Sequence, residues 1–258
     1  MLLAIDIGNT EVTLGIFVGE ELRATWHVST GLHRTADEYA TLLLNLIPRT
    51  LSGSHIKGIS LCSVVPPLVA TFEEMCQRYL HMSPLVVGPG VKTGVRIRMD
   101  NPSEVGADRI VDAAAAHHLY GGPVIIADFG TATTFDVVSK EGDYMGGAIS
   151  PGIGISAEAL FVRAAKLPRV ELARPKKAIG TNTIAAMQSG IIFGYVALVE
   201  GMVARIQKEL GEPAKVVATG GFSTLFAKET TVIDIVNPSL TLIGLRLIYQ
   251  LNEGDKGG

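Results

Sequence analysis

Two segments of this chain carry nearly the same pattern of residues. Residues 2–17 read LLAIDIGNTEVTLGIF, and residues 124–138 read VIIADFGTATTFDVV. In each, an apolar run ends in Asp-x-Gly, small hydroxyl or amide residues follow, and a second apolar run begins, which is typical of a β-hairpin with a tight turn. Glycine in such a turn lets the backbone approach a ligand closely, and backbone N–H groups with neighbouring hydroxyls can hold phosphate. Because D-x-G is also common in ordinary turns, it is the pair of hairpins, and neither copy alone, that indicates a function.

Each half of the chain begins with one of the two hairpins, and the predicted strands and helices follow in a similar order in both halves. After each hairpin, strand-like runs alternate with helical stretches, and Gly121-Gly122-Pro123 stands immediately before the second hairpin. The chain has 258 residues, of which 47% are hydrophobic, so it can bury the cores of two domains. We therefore predict a duplicated α/β fold, with an N-terminal domain over residues 1–120 and a C-terminal domain over residues 121–258 that face a shared cleft.

Composition and charge exclude several classes of protein. A formal net charge of −3 provides no basic surface of the kind that binds nucleic acid. The two cysteines fit a reducing compartment better than a disulfide framework, and the first ten residues lack the basic region of a signal peptide. Sequence patterns of serine hydrolases and zinc enzymes are absent. We expect a cytoplasmic protein that binds no nucleic acid.

Residues 184–199, IAAMQSGIIFGYVALV, form the most apolar segment of the chain. Its apolar run is shorter than the roughly 20 residues that a bilayer requires, and Gln188 and Glu200 interrupt it. Small residues along it, including the pair Gly190 and Gly194, are typical of a helix that packs closely against another helix. We expect no membrane insertion, while burial inside the monomer and burial at a subunit interface both remain open.

The nucleotide-binding motifs of other fold classes are missing. There is no G-x-x-x-x-G-K-[ST] and no G-x-G-x-x-G between a strand and a helix. Paired D-x-G hairpins instead resemble the way in which actin, hexokinase and acetate kinase hold phosphates, with one hairpin from each half facing the phosphates. In that arrangement a third, glycine-rich turn lies near the adenosine, and residues 218–223, ATGGFS, follow a predicted strand at a suitable place.

Two further segments combine polar groups with the start of a predicted helix. In residues 101–109, NPSEVGADR, Asp108 and Arg109 open an alanine-rich helix. Arginine can bind a substrate carboxylate and aspartate can accept a hydroxyl proton, although the same pair would also suit a first helical turn without any ligand. Residues 180–183, GTNT, open the apolar helix, where they can act as helix caps or bind a polar ligand.

Taken together, these segments resemble the type III pantothenate kinase family over nearly the whole chain. The combination of NPSEVGADR with GGAISPGI is highly specific to that family. The segments that carry the resemblance are DIGNT at 6–10, NPSEVGADRIVDAAAAH at 101–117, DFGTATTFDVV at 128–138, GGAISPGIGIS at 146–156, GTNTIAAMQSGIIFGY at 180–195 and ATGGFS at 218–223.

The resemblance implies a fold and an activity. The fold would be two ribonuclease-H-like domains arranged as in acetate kinase, hexokinase and actin. The activity would be ATP-dependent phosphorylation of pantothenate to 4'-phosphopantothenate, the first step of coenzyme A biosynthesis. The resemblance also implies a homodimer with an active site shared between subunits, and a requirement for Mg²⁺ and for a monovalent cation, K⁺ or NH₄⁺.

The family motifs assign roles at the pantothenate site. Asp108 would be the general base. Gly106, Ala107 and Arg109 would line the pantothenate site, with Arg109 facing the substrate carboxylate. Thr183 would reach the pantothenate bound in the partner subunit's site.

The same motifs assign the ATP and cation sites. Asp128 would bind the monovalent cation, and Asp6 would place Mg²⁺. The residues that would hold ATP are Asp6, Ile7, Gly8, Asn9, Thr10, Glu11, Val12, Thr13 and Thr131.

Two positions depart from the family pattern. Glu11 stands where a small polar residue is common, and its carboxylate would repel the triphosphate unless it points away or meets a cation. Met99 stands where many members have an aromatic residue.

Two functions are alternatives to a pantothenate kinase. One is a non-catalytic accessory or regulatory homologue of the same family, and the other is a kinase of this fold that acts on a sugar or short-chain acid. The presence of Asp6, Asp108 and Asp128 argues against the first.

Overall fold

The computed structural model describes residues 1–47 and 56–253. It divides into two compact units, of which the first contains Met1–His118 together with the chain from Leu240 onward, and the second contains Leu119–Ser239. The strands are β1 (Leu2–Ile7), β2 (Glu11–Val18), β3 (Glu21–Ser29), β4 (Gly58–Ser63), β5 (Leu85–Val86), β6 (Arg96–Ile97), β7 (Val124–Phe129), β8 (Ala132–Val138), β9 (Asp143–Pro151), β10 (Lys215–Thr219) and β11 (Ile235–Val236). The helices are α1 (Ala36–Leu46), α2 (Pro66–Met75), α3 (Ala107–Tyr120), α4 (Ile153–Arg163), α5 (Thr183–Leu210), α6 (Ser223–Phe226) and α7 (Leu240–Glu253).

The first unit is a five-stranded sheet covered on both faces. Its strands lie in the order β3-β2-β1-β4-β5, with β1 antiparallel to β2 and parallel to β4. Because side chains alternate along a strand, Leu3 and Ile5 of β1 pack with the buried residues of α1 and α2, whereas Ala4 packs with the buried residues of α3 and α7. The central strand β1 is therefore buried on both faces.

The second unit repeats the arrangement of the first. Its strands lie in the order β11-β10-β7-β8-β9, with β7 antiparallel to β8 and parallel to β10. Strands β7, β8, β9, β10 and β11 therefore occupy the places of β1, β2, β3, β4 and β5. Buried residues of β7, β10 and the long helix α5 form the core of this unit. The predicted duplication of an α/β unit is confirmed at the level of strand order and direction.

The division between the units differs from the expected one at its second boundary. The first boundary lies at His118 and Leu119, close to the predicted residue 120. The C-terminal helix α7, however, packs on β1 and β4, and its buried residues Leu242, Leu245 and Ile248 share a core with Ala4 of β1. The last helix thus belongs to the first unit, because its apolar face is covered there, and not to a domain of residues 121–258.

Candidate active site

The first predicted hairpin forms, and its turn is held in one conformation. The N–H of Gly8 donates to the carbonyl of Glu11 at 2.9 Å, and a Cβ at Gly8 would lie 2.9 Å from the same oxygen. From the end of β3, the Thr30 hydroxyl donates to the Gly8 carbonyl at 2.7 Å, and the Thr30 N–H donates to the Thr10 carbonyl at 3.0 Å. The side chains of Asn9 and Thr10 are exposed at the tip. The turn is therefore braced from one side and open on the other, as a phosphate-binding turn must be.

The side chain of Glu11 contacts a histidine on the neighbouring strand of the sheet. Its carboxylate lies 2.8 Å from Nδ1 of His27, on the neighbouring strand β3. Because an ionised carboxylate only accepts hydrogen bonds, Nδ1 of His27 carries the proton in this contact. The hydroxyl of Thr13 lies 3.4 Å from the same nitrogen. The departure from the family pattern at Glu11 is thus accompanied by a partner that orients the carboxylate.

Asp6 lies next to the last residue of β1, on the face of the sheet that α3 covers. Its neighbours in the sheet register are Thr13 on β2 and Cys62 on β4, and the Cys62 thiol donates to Asp6 Oδ1 at 3.3 Å. Burial, and after it the negative charge of Asp108, raises the pKa of the Asp6 carboxyl to about 7, while the hydrogen bond from the Cys62 thiol opposes the rise. Burial raises the pKa of the Cys62 thiol well above its usual value, and the negative charges of Asp6, Asp108 and Asp112 add to that rise.

The segment Gly106–Arg109 begins helix α3 and orients Asp108. The Arg109 N–H donates to Asp108 Oδ1 at 2.8 Å, and a Cβ at Gly106 would lie only 2.5 Å from that oxygen. Ala107, Asp108 and Arg109 are all partly buried. One oxygen of the Asp108 carboxylate is thus fixed against the backbone of its own segment. The electrostatic coupling to Asp6 places the two carboxylates in one site within the first unit.

The second hairpin places Asp128 at the corresponding position of the second unit. Asp128 faces Thr134 on β8 and Thr219 on β10, and Gly130 closes the turn through an N–H bond of 3.0 Å to the carbonyl of Ala132. The glycine-rich turn after β10 lies against the carboxylate, because a Cβ at Gly220 would be 2.3 Å from Asp128 Oδ1. Gly220 also has a φ of +83°, a conformation that side chains disfavour. The predicted third element therefore packs directly on the second hairpin.

Thr131 and Thr183 are exposed residues of the second unit. Thr131 lies at the tip of the second turn, where Gly152 N–H donates to its carbonyl at 3.1 Å. Thr183 is the first residue of α5, whose N-cap Asn182 accepts from the Ala185 N–H at 2.9 Å. The capping role expected for GTNT is therefore performed by Asn182, which leaves the Thr183 hydroxyl exposed at the start of the helix.

The site residues fall into two groups, one in each unit. The structure brings Asp6, the Gly8–Thr13 hairpin and Asp108 together in the first unit, and Asp128 with the Gly220 turn in the second. Sequence reasoning did not identify Cys62, although the register of β4 against β1 puts it opposite Asp6. Within residues 1–47 and 56–253, no three His, Cys, Asp or Glu side chains form a group that could hold a metal ion by themselves. A Mg²⁺ ion that keeps most of its ligands as water and phosphate needs only one carboxylate, and Asp6, crowded by Asp108, fits that need.

Helix α5 has one buried face and one exposed face of small residues. Ala186, Gly190, Gly194, Ala197 and Gly201 are exposed, and a Cβ at any of the three glycines would meet no atom within 4 Å. In the part of the chain that the structure describes, α5 is the one helix long and apolar enough to span a membrane, and 39% of its most apolar window is buried. Core helices of globular proteins pass the same test, so the feature is weak support for a membrane segment.

Comparison with known proteins gives a family and a fold. The family model for type III pantothenate kinase matches residues 2–205. A type III pantothenate kinase from Dehalococcoides mccartyi (strain CBDB1) is 57% identical over 253 residues, which cover 98% of this chain and 96% of the relative.

Solved structures with lower sequence identity share the fold. A Baf family protein from Campylobacter jejuni has a TM-score of 0.65 at 18% identity, and the match covers 98% of this chain and 99% of that one. The ROK hexokinase from Thermus thermophilus has a TM-score of 0.53 at 16% identity, with coverage of 97% and 99%. These likenesses confirm the predicted acetate kinase, hexokinase and actin fold. Because the family model spans most of the sequence and the identity to the curated relative is high, the chain belongs to the type III pantothenate kinase family.

Proposed function

We propose that this protein phosphorylates pantothenate at its primary hydroxyl with the Asp108 carboxylate as general base. The activity is that of a type III pantothenate kinase, the ATP-dependent phosphorylation of pantothenate in coenzyme A biosynthesis. The observation that carries the role of Asp108 is its position at the start of α3, coupled to Asp6 and fixed by the Arg109 N–H at 2.8 Å. The hydroxyl oxygen attacks the γ-phosphorus, its proton passes to the carboxylate of Asp108, and the bond from the γ-phosphorus to the β-phosphate oxygen breaks to release ADP.

The two hairpins are the proposed phosphate sites. Phosphoryl transfer asks the protein mainly to align the reactants and to neutralise charge, which backbone N–H groups and hydroxyls of tight turns can do. In the first hairpin, Asn9 and Thr10 are exposed at the tip and would contact phosphate oxygens, as would Thr13 on β2. In the second hairpin, the exposed residue Thr131 would do the same. Mg²⁺ bound at Asp6 would neutralise phosphate charge. A cation held there would favour the ionised form of Asp6, and the carboxyl proton would pass to water.

Pantothenate carries a carboxylate at one end and the reacting hydroxyl at the other. Arg109 follows Asp108 directly, so we assign its guanidinium to the substrate carboxylate, with Gly106 and Ala107 lining the site. Thr183 is assigned to the pantothenate site of the partner subunit, because its hydroxyl is exposed at the start of α5.

Asp128 is the proposed site of the monovalent cation. Its carboxylate lies at the end of β7 beside the glycine-rich turn, where Gly220 leaves no room for a side chain. A partly buried carboxylate next to a proposed phosphate turn benefits from a cation that offsets the repulsion between the two. K⁺ or NH₄⁺ carries a single charge and accepts irregular oxygen ligands, which fits this position.

A homodimer is supported by apolar surface in the second unit. Eight large hydrophobic side chains between residues 145 and 184 are exposed, and Ile179 has an exposed fraction of 84%. Helix α4 buries only Ile153, although it packs on α5, and α5 exposes its small-residue face. Monomeric proteins rarely expose this much apolar surface in one stretch. We propose that a second copy of the chain covers it, and that the dimer works in the cytoplasm, in keeping with the absence of a disulfide at Cys62 and Cys76.

The test is direct mass-spectrometric detection of phosphopantothenate from purified protein, ATP, Mg²⁺ and pantothenate, with and without K⁺. Direct detection is needed because the usual pyruvate kinase coupling assay itself requires K⁺. Product that forms only with K⁺ or NH₄⁺ would support both the reaction and the cation site. No product from folded dimer under either condition would overturn the proposal, and a substrate panel of sugars and short-chain acids would follow.

A further inference from the structure

Cys62 occupies the one position in the sheet that is directly opposite Asp6 on β4. Strands β1 and β4 are parallel and in register from Leu2 with Gly58 to Ile7 with Ser63, so the side chains of Asp6 and Cys62 emerge on the same face. The thiol is fully buried and lies 3.3 Å from Asp6 Oδ1, within the range of a sulfur hydrogen bond. Since an ionised carboxylate only accepts, the thiol is the donor.

The hydrogen bond to Asp6 is the side-chain hydrogen bond that the Cys62 thiol makes among the described residues. The rest of the Cys62 side chain packs in an apolar cluster with Ala4, Val87 and Val111. The other cysteine, Cys76, is also fully buried, and it packs in the apolar cluster of the opposite face, which includes Phe72. The chain therefore offers two buried thiols, of which one contacts a carboxylate of the site.

We propose that Cys62 is a positioning residue that fixes the Asp6 carboxylate by donating to Oδ1, leaving Oδ2 for the cation that accompanies ATP. This inference rests on the proposed role of Asp6 in holding Mg²⁺. Asp6 extends from a strand that is covered on both faces, and its carboxylate can rotate about its terminal torsion unless one oxygen is held. A buried donor beside the strand removes that freedom before the nucleotide arrives, and pre-organisation of this kind lowers the cost of binding.

The alternative is that Cys62 only fills space in the core. The two explanations separate in the pair Cys62→Ser and Cys62→Ala, because serine keeps a hydroxyl donor in the place of the thiol and alanine has none. If the hydrogen bond matters, Ser should retain Mg·ATP affinity and Ala should not. If only packing matters, the substitutions should lower stability, as in the control pair, without separating Ser from Ala in Mg·ATP affinity. The matched control is the pair Cys76→Ser and Cys76→Ala, at the buried thiol that donates no hydrogen bond to a carboxylate among the described residues.

The experiment measures Mg·ATP affinity by titration calorimetry without pantothenate, steady-state kcat and KM for ATP, and thermal unfolding. Cys62→Ala is expected to weaken Mg·ATP binding and raise the KM for ATP roughly tenfold, with a smaller effect on kcat, whereas Cys62→Ser stays within about threefold of the wild type. Both Cys76 variants are expected to lower thermal stability and leave Mg·ATP affinity unchanged.

Equal losses of Mg·ATP affinity in Cys62→Ser and Cys62→Ala would overturn the inference, as would unchanged affinity in both. If the wild type binds Mg·ATP and makes no phosphopantothenate, the proposed function fails, while the binding data still decide the role of Cys62. If the wild type does not bind Mg·ATP, the positioning role falls together with the ATP site.

Discussion

The carboxylate of Asp108 lies directly against the backbone of Gly106. A Cβ at Gly106 would be 2.5 Å from Asp108 Oδ1, and the same oxygen accepts the Arg109 N–H at 2.8 Å. The order of residues in G-A-D-R therefore determines where Asp108 Oδ1 lies. Glycine makes room for the carboxylate, and the N–H of the residue after the aspartate anchors one of its oxygens.

Substituting Gly106 by alanine tests this arrangement. The new methyl group would displace the Asp108 carboxylate, because contacts shorter than about 3 Å to a Cβ are not tolerated, so we expect kcat to fall at least tenfold with little change in thermal stability. The control is Gly88→Ala, in the same unit, where a Cβ meets nothing within 4 Å. Steady-state kinetics and thermal unfolding of both variants provide the comparison. Equal kcat values for Gly106→Ala and the wild type would show that the close contact has no catalytic role.

The variant Asp108→Asn tests the general base. Asparagine keeps the shape of the side chain and cannot accept the hydroxyl proton, so we expect turnover to fall by a factor on the order of 100 to 10,000. Binding of ATP and pantothenate, measured by calorimetry, should be retained. Glu21→Gln, which removes an exposed carboxylate from β3, is the control for loss of one negative charge. Undiminished turnover in Asp108→Asn would remove Asp108 from the mechanism.

The raised pKa of Asp6 predicts a specific pH dependence of stability. The pKa rises from 3.8 to about 7 through burial first and the charge of Asp108 second. An acid with a higher pKa in the folded state binds more protons when folded, so its contribution to stability is full below pH 4 and is lost as the pH rises through 7. Relative to Asp6→Asn, the metal-free wild type should lose about 4 kcal/mol of unfolding free energy between pH 4 and pH 8.

Chemical denaturation of both proteins across this pH range, in EDTA and without nucleotide, measures that difference. A constant difference between the two proteins would contradict the raised pKa. Because a cation favours the ionised carboxylate, stabilisation of the wild type by Mg²⁺ should increase as the pH rises through 7, and Asp6→Asn should lack this trend.

Parts of the fold follow from local pattern, and parts depend on contacts that sequence does not display. Both hairpins are predictable because apolar alternation, Asp-x-Gly and small polar residues agree over a short stretch. Strand β9 (Asp143–Pro151) has no such signal, since Gly146 and Gly147 have low strand propensity, and it forms because β8 offers a partner edge. The assignment of α7 to the first unit likewise arises from packing on β1 and β4, which only the folded chain reveals.

The site shows the same division between local and long-range information. The motif residues Asp6, Asp108 and Asp128 could be identified because their segments are specific. The contact of Cys62 with Asp6 could not be predicted, because it comes from the register of β4 against β1, and the separation of the two strands in sequence leaves that register undetermined. The contact of His27 with Glu11 has the same origin in the pairing of β2 with β3.

The dimer is tested on the exposed face of helix α5. A Cβ at Gly194 meets no atom within 4 Å, so Gly194→Arg adds a long charged side chain without a clash inside the described residues of the monomer. If a second copy packs against this face, the arginine cannot be accommodated, and we expect light scattering to show a monomer that retains its helical content. Because the active site is proposed to include Thr183 of the partner subunit, turnover should fall with the dimer. Glu209→Arg, on the exposed end of the same helix, introduces the same residue and should leave the dimer intact. A Gly194→Arg protein that remains a dimer, or a fully active monomer, would contradict the shared site.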